Sequence, residues 1–321
     1  MKVLLTGASG MMGRATAHRL IARGDQVTVL QRNPAGLDCR EVLGSLTDPA
    51  AVARAMAGQD AVLHMAAKVD VVGAAAEYQR VNVEGTATVV DACRTAGVGR
   101  LVNVSSPSVA HAGEPLVGVG AQPADPATAG SHYSRSKARA EQLALAADSP
   151  DLAVIAVRPH LVWGPGDTQL VGRIVQRAAR GGLPIIGTGA ALIDTTYVDN
   201  AADAMVAAVD ACGPVHGEAF VVSNGEPRPV GEILDRICLA AGVPVPARSV
   251  PLPLARVAGT LVEAAWTLLR RRDTPPLTRF LAEQLGTAHW FDQRRTRQAL
   301  DWVPQVSLDE GFSRLTESLR G

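Results

Sequence analysis

Lys2-Val3-Leu4-Leu5-Thr6-Gly7-Ala8-Ser9-Gly10-Met11-Met12-Gly13 is the stretch that decides the fold. Its first half is a short apolar, β-branched run of the kind that forms a buried strand. The glycines follow at once, and a helical pattern then runs to Gly24. Strand, glycine-rich turn and helix make the phosphate-binding entry of a dinucleotide fold. The glycines allow the tight turn and the close approach of backbone to ligand, and the helix N-terminus faces the pyrophosphate. The spacing here is G-x-x-G-x-x-G, not the more familiar G-x-G-x-x-G. A tight βα turn with no ligand would read the same way locally, so the segments on either side carry weight.

Those segments alternate. Gln26–Leu30 reads as a second strand and ends in Gln31-Arg32, where an acid would select NAD by binding the ribose 2′-hydroxyl. There is no carboxylate, and the planar Arg32 guanidinium suits a 2′-phosphate, so NADP is expected, with NAD as the alternative. Arg32 also fits a solvated loop. Asp48-Pro49 is an N-cap followed by proline at the first helical position. Ala61–Met65 is the next strand, and its end, His64-Met-Ala66-Ala67, is small enough for a cofactor to lie close. His64 itself reads as a packed core histidine. A long helix from Glu77 to Ala96 carries Asn82 and stops at Gly97. Arg100–Val104 is another strand and ends in Ser105-Ser106, before a Pro-, Gly- and Ala-rich loop from Pro107 to Gly130. Long loops in compact domains tend to be functional, and this one lies where substrate would enter.

Tyr133-Ser134-Arg135-Ser136-Lys137 comes next. A tyrosine and a lysine four apart share one helix face. A phenol titrates near pH ~10 and is a poor acid or base at neutrality, but an adjacent ammonium favours its ionised form. Such a pair can exchange a proton with an alcohol or a ketone. Alone, the spacing also fits an amphipathic helix with a surface lysine. Ala153–Arg158 is a further strand, leading into Pro159-His-Leu-Val-Trp-Gly-Pro-Gly166. The βα alternation up to Gly166 predicts an α/β, Rossmann-type, doubly wound parallel sheet over residues 1–166.

Beyond Gly166 the pattern loosens, and residues 167–321 are expected to form a smaller mixed substrate-binding part with some elements returning to the core. Helices are expected over Leu170–Arg180, Asn200–Ala211 and Val230–Ala241, a strand over Ala219–Val222, and a proline-rich connector over Val243–Pro253. Ser307-Leu-Asp-Glu310 reads as a capping box opening the last helix. Leu254–Arg270 is amphipathic. Leu254, Val257, Ala258, Leu261, Ala265 and Leu268 make an apolar stripe, with Arg256, Thr260, Glu263, Thr267 and Arg270 opposite. Three roles fit such a stripe: packing on its own domain, roofing an apolar substrate pocket, or peripheral contact with a membrane. Arg270-Arg271-Arg272 would suit anionic headgroups in the last case.

Composition narrows the partners. With 31 basic and 31 acidic residues, the chain lacks the basic surplus that nucleic-acid binding needs. Cys39, Cys93, Cys212 and Cys238 are scattered, with neither disulfide nor zinc-ligand spacing, so no metal is expected and a reducing compartment is. Met1 leads straight into a strand pattern and no apolar run reaches spanning length, so a cytoplasmic protein is expected.

Taken together, Gly7-x-x-Gly10-x-x-Gly13, Asn82-Val-Glu-Gly85-Thr86, Ser105-Ser106, Tyr133-x-x-x-Lys137, Arg158-Pro159 with Gly164-Pro165, and Tyr197-Val-Asp199-Asn200 resemble the extended short-chain dehydrogenases/reductases. The order of the motifs matches over the whole chain. One departure is Ser45, where that family usually carries an aspartate near the adenine. The resemblance implies Tyr133 as general acid/base, Lys137 lowering its pKa and holding the nicotinamide ribose, and Ser106 as donor to the substrate oxygen. Ser106 is chosen over Ser105 because it matches the family's Ser-Ser-x-x-Val run. It implies cofactor contacts at Gly7, Ser9, Gly10, Met11, Met12, Gly13, Arg32, Leu46, His64, Ala66, Ala67, Asn82, Tyr133, Lys137 and Pro159, and a homodimer through the helices of Asn82 and Tyr133. Arg158 to Asp167, and Pro276 to Asp292, look most like the 3β-hydroxysteroid dehydrogenase branch. That likeness implies ketone–alcohol interconversion on a bulky apolar substrate, foremost a 2-alkyl-3-oxoalkanoate reduced to its 3-hydroxy acid. The alternatives are a 3β-hydroxysteroid, nucleotide-sugar epimerisation, and a non-catalytic NADP sensor. Pro107 directly after Ser106 argues against sugar dehydration, which usually needs an Asp-Glu pair there.

Overall fold

Val3 and Leu5 bury their side chains on one side of the first strand, while Leu4 faces the opposite cluster. A strand covered on both faces belongs to the middle of a sheet. In the computed structural model, which describes residues 1–69, 73–111, 113–269, 271 and 275–320, with only the backbone at 267, that sheet has seven parallel strands. In chain order they are β1 (Lys2–Thr6), β2 (Gln26–Gln31), β3 (Arg40–Leu43), β4 (Ala61–His64), β5 (Arg100–Val104), β6 (Ala153–Pro159) and β7 (Glu218–Val222). Across the sheet the order is β7-β6-β5-β4-β1-β2-β3, the doubly wound arrangement expected. Strand β3 was not foreseen. It is a four-residue edge strand, exposed or half-buried throughout, and so carries no apolar run to announce it.

Helices Met11–Ala22 and Val198–Ala211 cover one face, joined by Arg19, which pairs with Asp199 at 3.0 Å and with Asp203. Pro49–Met56, Gly85–Ala96 and His132–Leu145 lie on the other. Asp48 caps its helix as expected, accepting from Ala50 N at 3.0 Å and Ala51 N at 3.2 Å. The long helix expected from Glu77 is not uniform. It is α-helical over Ala75–Tyr78, a π-helix over Gln79–Glu84, and α-helical again over Gly85–Ala96, ending at Gly97 with φ +67°. Single π turns of this kind recur at functional sites.

The expected loop from Pro107 to Gly130 holds a 3₁₀ turn, Pro107–Ala110, and a strand, Leu116–Val119. That strand pairs with His289–Phe291, which pairs in turn with Leu192–Ile193, beside Arg228–Pro229, in a four-stranded mixed sheet. The segment after Ser106 is thereby tied to the C-terminal part of the chain. A third core packs Trp163 on Phe312, ring centroids 4.4 Å apart, around Tyr197, Ile233 and Leu315. In the final helix, Leu308–Arg320, Ser307 Oγ accepts from Glu310 N at 3.2 Å, which is one half of a capping box.

The amphipathic helix spans Leu252–Leu268 and packs on its own domain, but not through its apolar stripe. Its apolar stripe faces outward, with Leu254 62%, Val257 59%, Leu261 65% and Leu268 84% exposed. The small residues Ala255 and Gly259 face the protein instead. A Cβ on Gly259 would stand 2.5 Å from Arg279 N, so this contact admits only glycine. Arg256 turns inward to Glu283 at 3.4 Å and to Gly113 O at 3.3 Å. Arg256 and Glu263 of the polar stripe have partners on the body of the protein, and close backbone packing there outweighs burial of the leucines. Arg270 and Arg272 lie outside the described residues, as does the side chain of Thr267.

Candidate active site

The ends of β1, β4, β5 and β6 converge on the glycine turn. Gly7 has φ +84°, and a Cβ there would come within 2.8 Å of Ala66 N; one on Gly13 would collide with Gly7 O. These two glycines serve the packing of turn on helix. Gly10 is different: φ −77°, ψ 158° suits any residue, and its nearest neighbour would be Gly7 O at 3.7 Å. Nothing in the protein needs a glycine there, so the space beside Gly10 fits the close approach of a cofactor. The helix it opens has no side-chain cap and no acid in its first turn, which leaves main-chain donors for a pyrophosphate. Ser9 is exposed and Met11 and Met12 are half-buried at the same turn.

Thr6 Oγ1 accepts from the N–H groups of Met65 and Ala66, both at 3.1 Å, so its proton goes to His64 Nδ1 at 2.9 Å. His64 Nε2 donates to Thr86 Oγ1 at 3.0 Å, whose hydroxyl donates to Asn82 O at 2.6 Å. Both nitrogens of His64 are thus committed to scaffolding. Burial, with Lys137 nearby, lowers its pKa to about 3 and keeps it neutral. Asn82, in the π turn, accepts from Lys68 N at 2.7 Å and donates to Lys68 O at 3.1 Å and Ser136 Oγ at 2.9 Å. Ser136 Oγ donates to Tyr133 O at 2.8 Å. Asn82 therefore locks the Ala66-Ala67 segment to the tyrosine helix; Ser136 was not among the residues singled out.

Tyr133 is half-buried, with the Ser106 hydroxyl close enough to act on its pKa. Ser106 Oγ also lies 2.9 Å from Ser108 Oγ and accepts from Ser108 N at 3.3 Å. Buried Lys137 donates to Val104 O at 2.6 Å, at the end of β5. Burial pulls its pKa down to about 8, with Glu141 opposing. The phenol does not follow the expected direction. Burial raises the Tyr133 pKa, the Ser106 hydroxyl opposes this, and Tyr78 adds to it. The protein alone holds Tyr133 as a neutral donor.

Arg158, on β6, is wholly buried and forked onto Glu141 of the tyrosine helix, Nε to Oε2 at 2.8 Å and Nη2 to Oε1 at 2.5 Å. Pro159, the last residue of β6, is buried beside Val222. Leu46 is buried against Gly85, with its backbone near the turn that Ser45 closes by accepting from Thr47 N at 3.2 Å. Arg32 is exposed just past β2. The Tyr197–Asn200 motif is structural: Asn200 accepts from Gln305 N and Val306 N, and donates to Asn224 and Val306 O.

A cluster of histidines went unrecognised in the sequence. His289 Nε2 donates to Gln284 O at 2.6 Å, leaving Nδ1 to accept from His160 Nε2 at 2.9 Å. His111 accepts from Gly113 N at 3.3 Å, and its buried Nε2 has no partner among the described residues. His111 follows Ser106 by five residues and His160 adjoins Pro159. Nothing in their spacing could have paired them, because the mixed sheet brings them together.

A glycine turn, a serine close to a tyrosine and a buried lysine four residues from the tyrosine are now in place. The family model for the NAD dependent epimerase/dehydratase family matches residues 3–223. The chain belongs to that family. Within it, the protein is an oxidoreductase of the extended short-chain dehydrogenase/reductase class, with a nicotinamide dinucleotide as cofactor. It is 43% identical to the 2-alkyl-3-oxoalkanoate reductase of Stenotrophomonas maltophilia, covering 99% of both chains. It is 28% identical to the human sterol-4-alpha-carboxylate 3-dehydrogenase, decarboxylating, over 98% of this chain and 87% of that one. Among solved structures, MoeE5 in complex with UDP-glucose and NAD superposes with a TM-score of 0.78 at 25% identity, covering 100% of this chain and 99% of that one.

Proposed function

We propose that this family member is an NADPH-dependent reductase that converts the 3-keto group of a long-chain 2-alkyl-3-oxoalkanoate to the 3-hydroxyl. The observation that carries the reading is the 43% identity to a named reductase of that substrate over 99% of both chains. Gly7, Gly10, Gly13 and the helix they open would hold the pyrophosphate, and Lys137 the nicotinamide ribose. The bound cofactor supplies the hydride. As charge grows on the substrate oxygen, the Ser106 and Tyr133 hydroxyls stabilise it from fixed positions, and Tyr133 delivers the proton. The raised phenol pKa suits that direction, since the tyrosine enters the reaction as an acid.

NADPH over NADH is supported by Arg32 at the end of β2 and by the lack of an acid there. The second reading, a 3β-hydroxysteroid substrate, is favoured by the human relative. In both named substrates a carboxylate stands on the carbon beside the one that changes oxidation state. Residues 167–321 are proposed to supply most of the substrate contacts, and the helices of Asn82 and Tyr133 a dimer interface. The buried free thiols support a reducing cytoplasm as the working compartment.

Consumption of NADPH would be followed with a 2-alkyl-3-keto acid and a 3-ketosteroid, and conversion of a UDP-sugar, which uses no net cofactor, by chromatography of its product. Preferential turnover of the keto acid is expected. Turnover of the steroid alone selects the second reading, and turnover of the UDP-sugar alone rejects both.

A further inference from the structure

Soluble proteins seldom leave a continuous row of large aliphatic side chains in water. Here Leu254, Val257, Leu261 and Leu268 lie along one side of the Leu252–Leu268 helix, each more than half exposed, and Leu269, 65% exposed, extends the row. Their exposure is not a failure of packing. Gly259 seats the helix tightly on Thr278 and Arg279, Ala255 packs with Ile186 and Ala282, and Arg256 is anchored to Glu283, so the orientation is fixed from the inside. Half-buried Trp266 sits beneath the Arg271 guanidinium, 4.5 Å from its ring centroid. Three consecutive arginines, Arg270-Arg271-Arg272, follow the helix in the sequence.

We infer that this face docks on an anionic lipid surface, with the leucines and Val257 entering the acyl boundary and Arg271 meeting the headgroups. An outward apolar stripe that ends at an arginine, with an aromatic ring beside it, is the pattern of a helix lying in a bilayer interface. A protein partner fits less well. Leucine and valine are under-represented among residues that anchor protein interfaces. Among the described residues no helix is long and apolar enough to cross a membrane, so the contact is peripheral. The docking face stands independently of which ketone is reduced; only its use, collecting a long-chain keto acid from the lipid phase, rests on the proposed function.

The test is co-sedimentation of the full chain with vesicles of phosphatidylcholine alone and of phosphatidylcholine mixed with phosphatidylglycerol. Binding to the mixed vesicles is expected, weakening with added salt. Val257→Asp/Leu261→Asp should lower that partitioning about tenfold or more. Both positions are exposed, so thermal stability, cofactor binding and turnover of a short water-soluble β-keto substrate should stay as in the parent. Failure of the parent to bind mixed vesicles overturns the inference. So does equal binding to both vesicle types, or equal binding by the variant. Self-association that the double substitution abolishes, without vesicle binding, would assign the face to a second copy of the chain and overturn it too. The vesicles carry no ketone, so failure of the proposed reaction would show only in the turnover assays.

Discussion

Arg158 and Glu141 meet in two parallel hydrogen bonds, and their side chains are only 2% and 1% exposed. The pair clamps β6, one residue before Pro159, to the helix that carries Tyr133 and Lys137. Arg158 Nη1 also donates to Gln122 O at 2.7 Å, so the loop after Ser106 is held by the same side chain. The catalytic helix, the strand end and the entrance loop are thus fixed against one another. Glu141→Gln leaves a buried guanidinium without its counter-charge and should cost about 3–5 kcal/mol. Urea unfolding measures this, and a midpoint equal to the parent's would show that the pair contributes nothing.

Tyr133→Phe should lower kcat about 100-fold or more, because the hydroxyl acts on transition-state charge and proton transfer. Cofactor affinity, read by fluorescence titration, should barely change. Near-full turnover by the variant would mean that the Ser106–Tyr133 pair is not the reacting site.

The glycines of the first turn should separate in their behaviour. Gly10→Ala meets no protein atom closer than 3.7 Å and suits the backbone there, so Tm should hold. Cofactor affinity should fall about tenfold or more, as the methyl stands where the pyrophosphate approaches. Gly13→Ala drives a methyl into Gly7 O and should lower Tm instead. Unchanged cofactor affinity in Gly10→Ala would remove that glycine from the binding site.

Arg32→Ala should narrow the preference for NADPH over NADH by about tenfold, the scale of one charge-assisted hydrogen bond. The ratio of kcat/KM for the two cofactors gives the answer. A parent enzyme with equal ratios would leave Arg32 as a solvated loop residue.

Stability should fall on mild acidification. Burial holds His64 at about 3 and His289 at about 4, against 6.5 for an unperturbed imidazole, and His160 lies well below that value too. Below pH 6.5 the unfolded chain takes up protons that the folded one refuses, so stability present above that pH is lost as pH falls towards 4. Each such histidine contributes a slope of up to about 1.4 kcal/mol per pH unit. Asp194 works in the opposite sense. Burial raises its pKa from 3.8 to about 6, so in this window the folded state binds the extra proton and offsets one histidine. Burial lowers the pKa of His111 too and raises that of Glu263, so four histidines against two acids leave a net loss. Urea midpoints at pH 7 and pH 5 should differ clearly; equal midpoints would mean the imidazoles protonate without unfolding.

The sequence by itself determined the parts that rest on local rules. Continuous apolar runs named six of the seven strands, Gly7 and Gly13 marked a turn no other residue could build, and four-residue spacing put Tyr133 and Lys137 on one face. Each of these is a relation between near neighbours, where backbone geometry leaves one answer. Tertiary structure alone decided the rest. The edge strand Arg40–Leu43 has no periodicity of its own and forms because β2 offers it hydrogen bonds. The phenol of Tyr133 rises because folding buries it, although the lysine beside it in sequence suggested the reverse. Histidines 111, 160 and 289 meet only through the mixed sheet. The Leu252–Leu268 helix shows its leucines to the outside because Gly259 lets two backbones touch and Glu283 waits for Arg256. A hydrophobic stripe records which side chains belong together; which side of a helix the protein takes depends on partners far away in the chain.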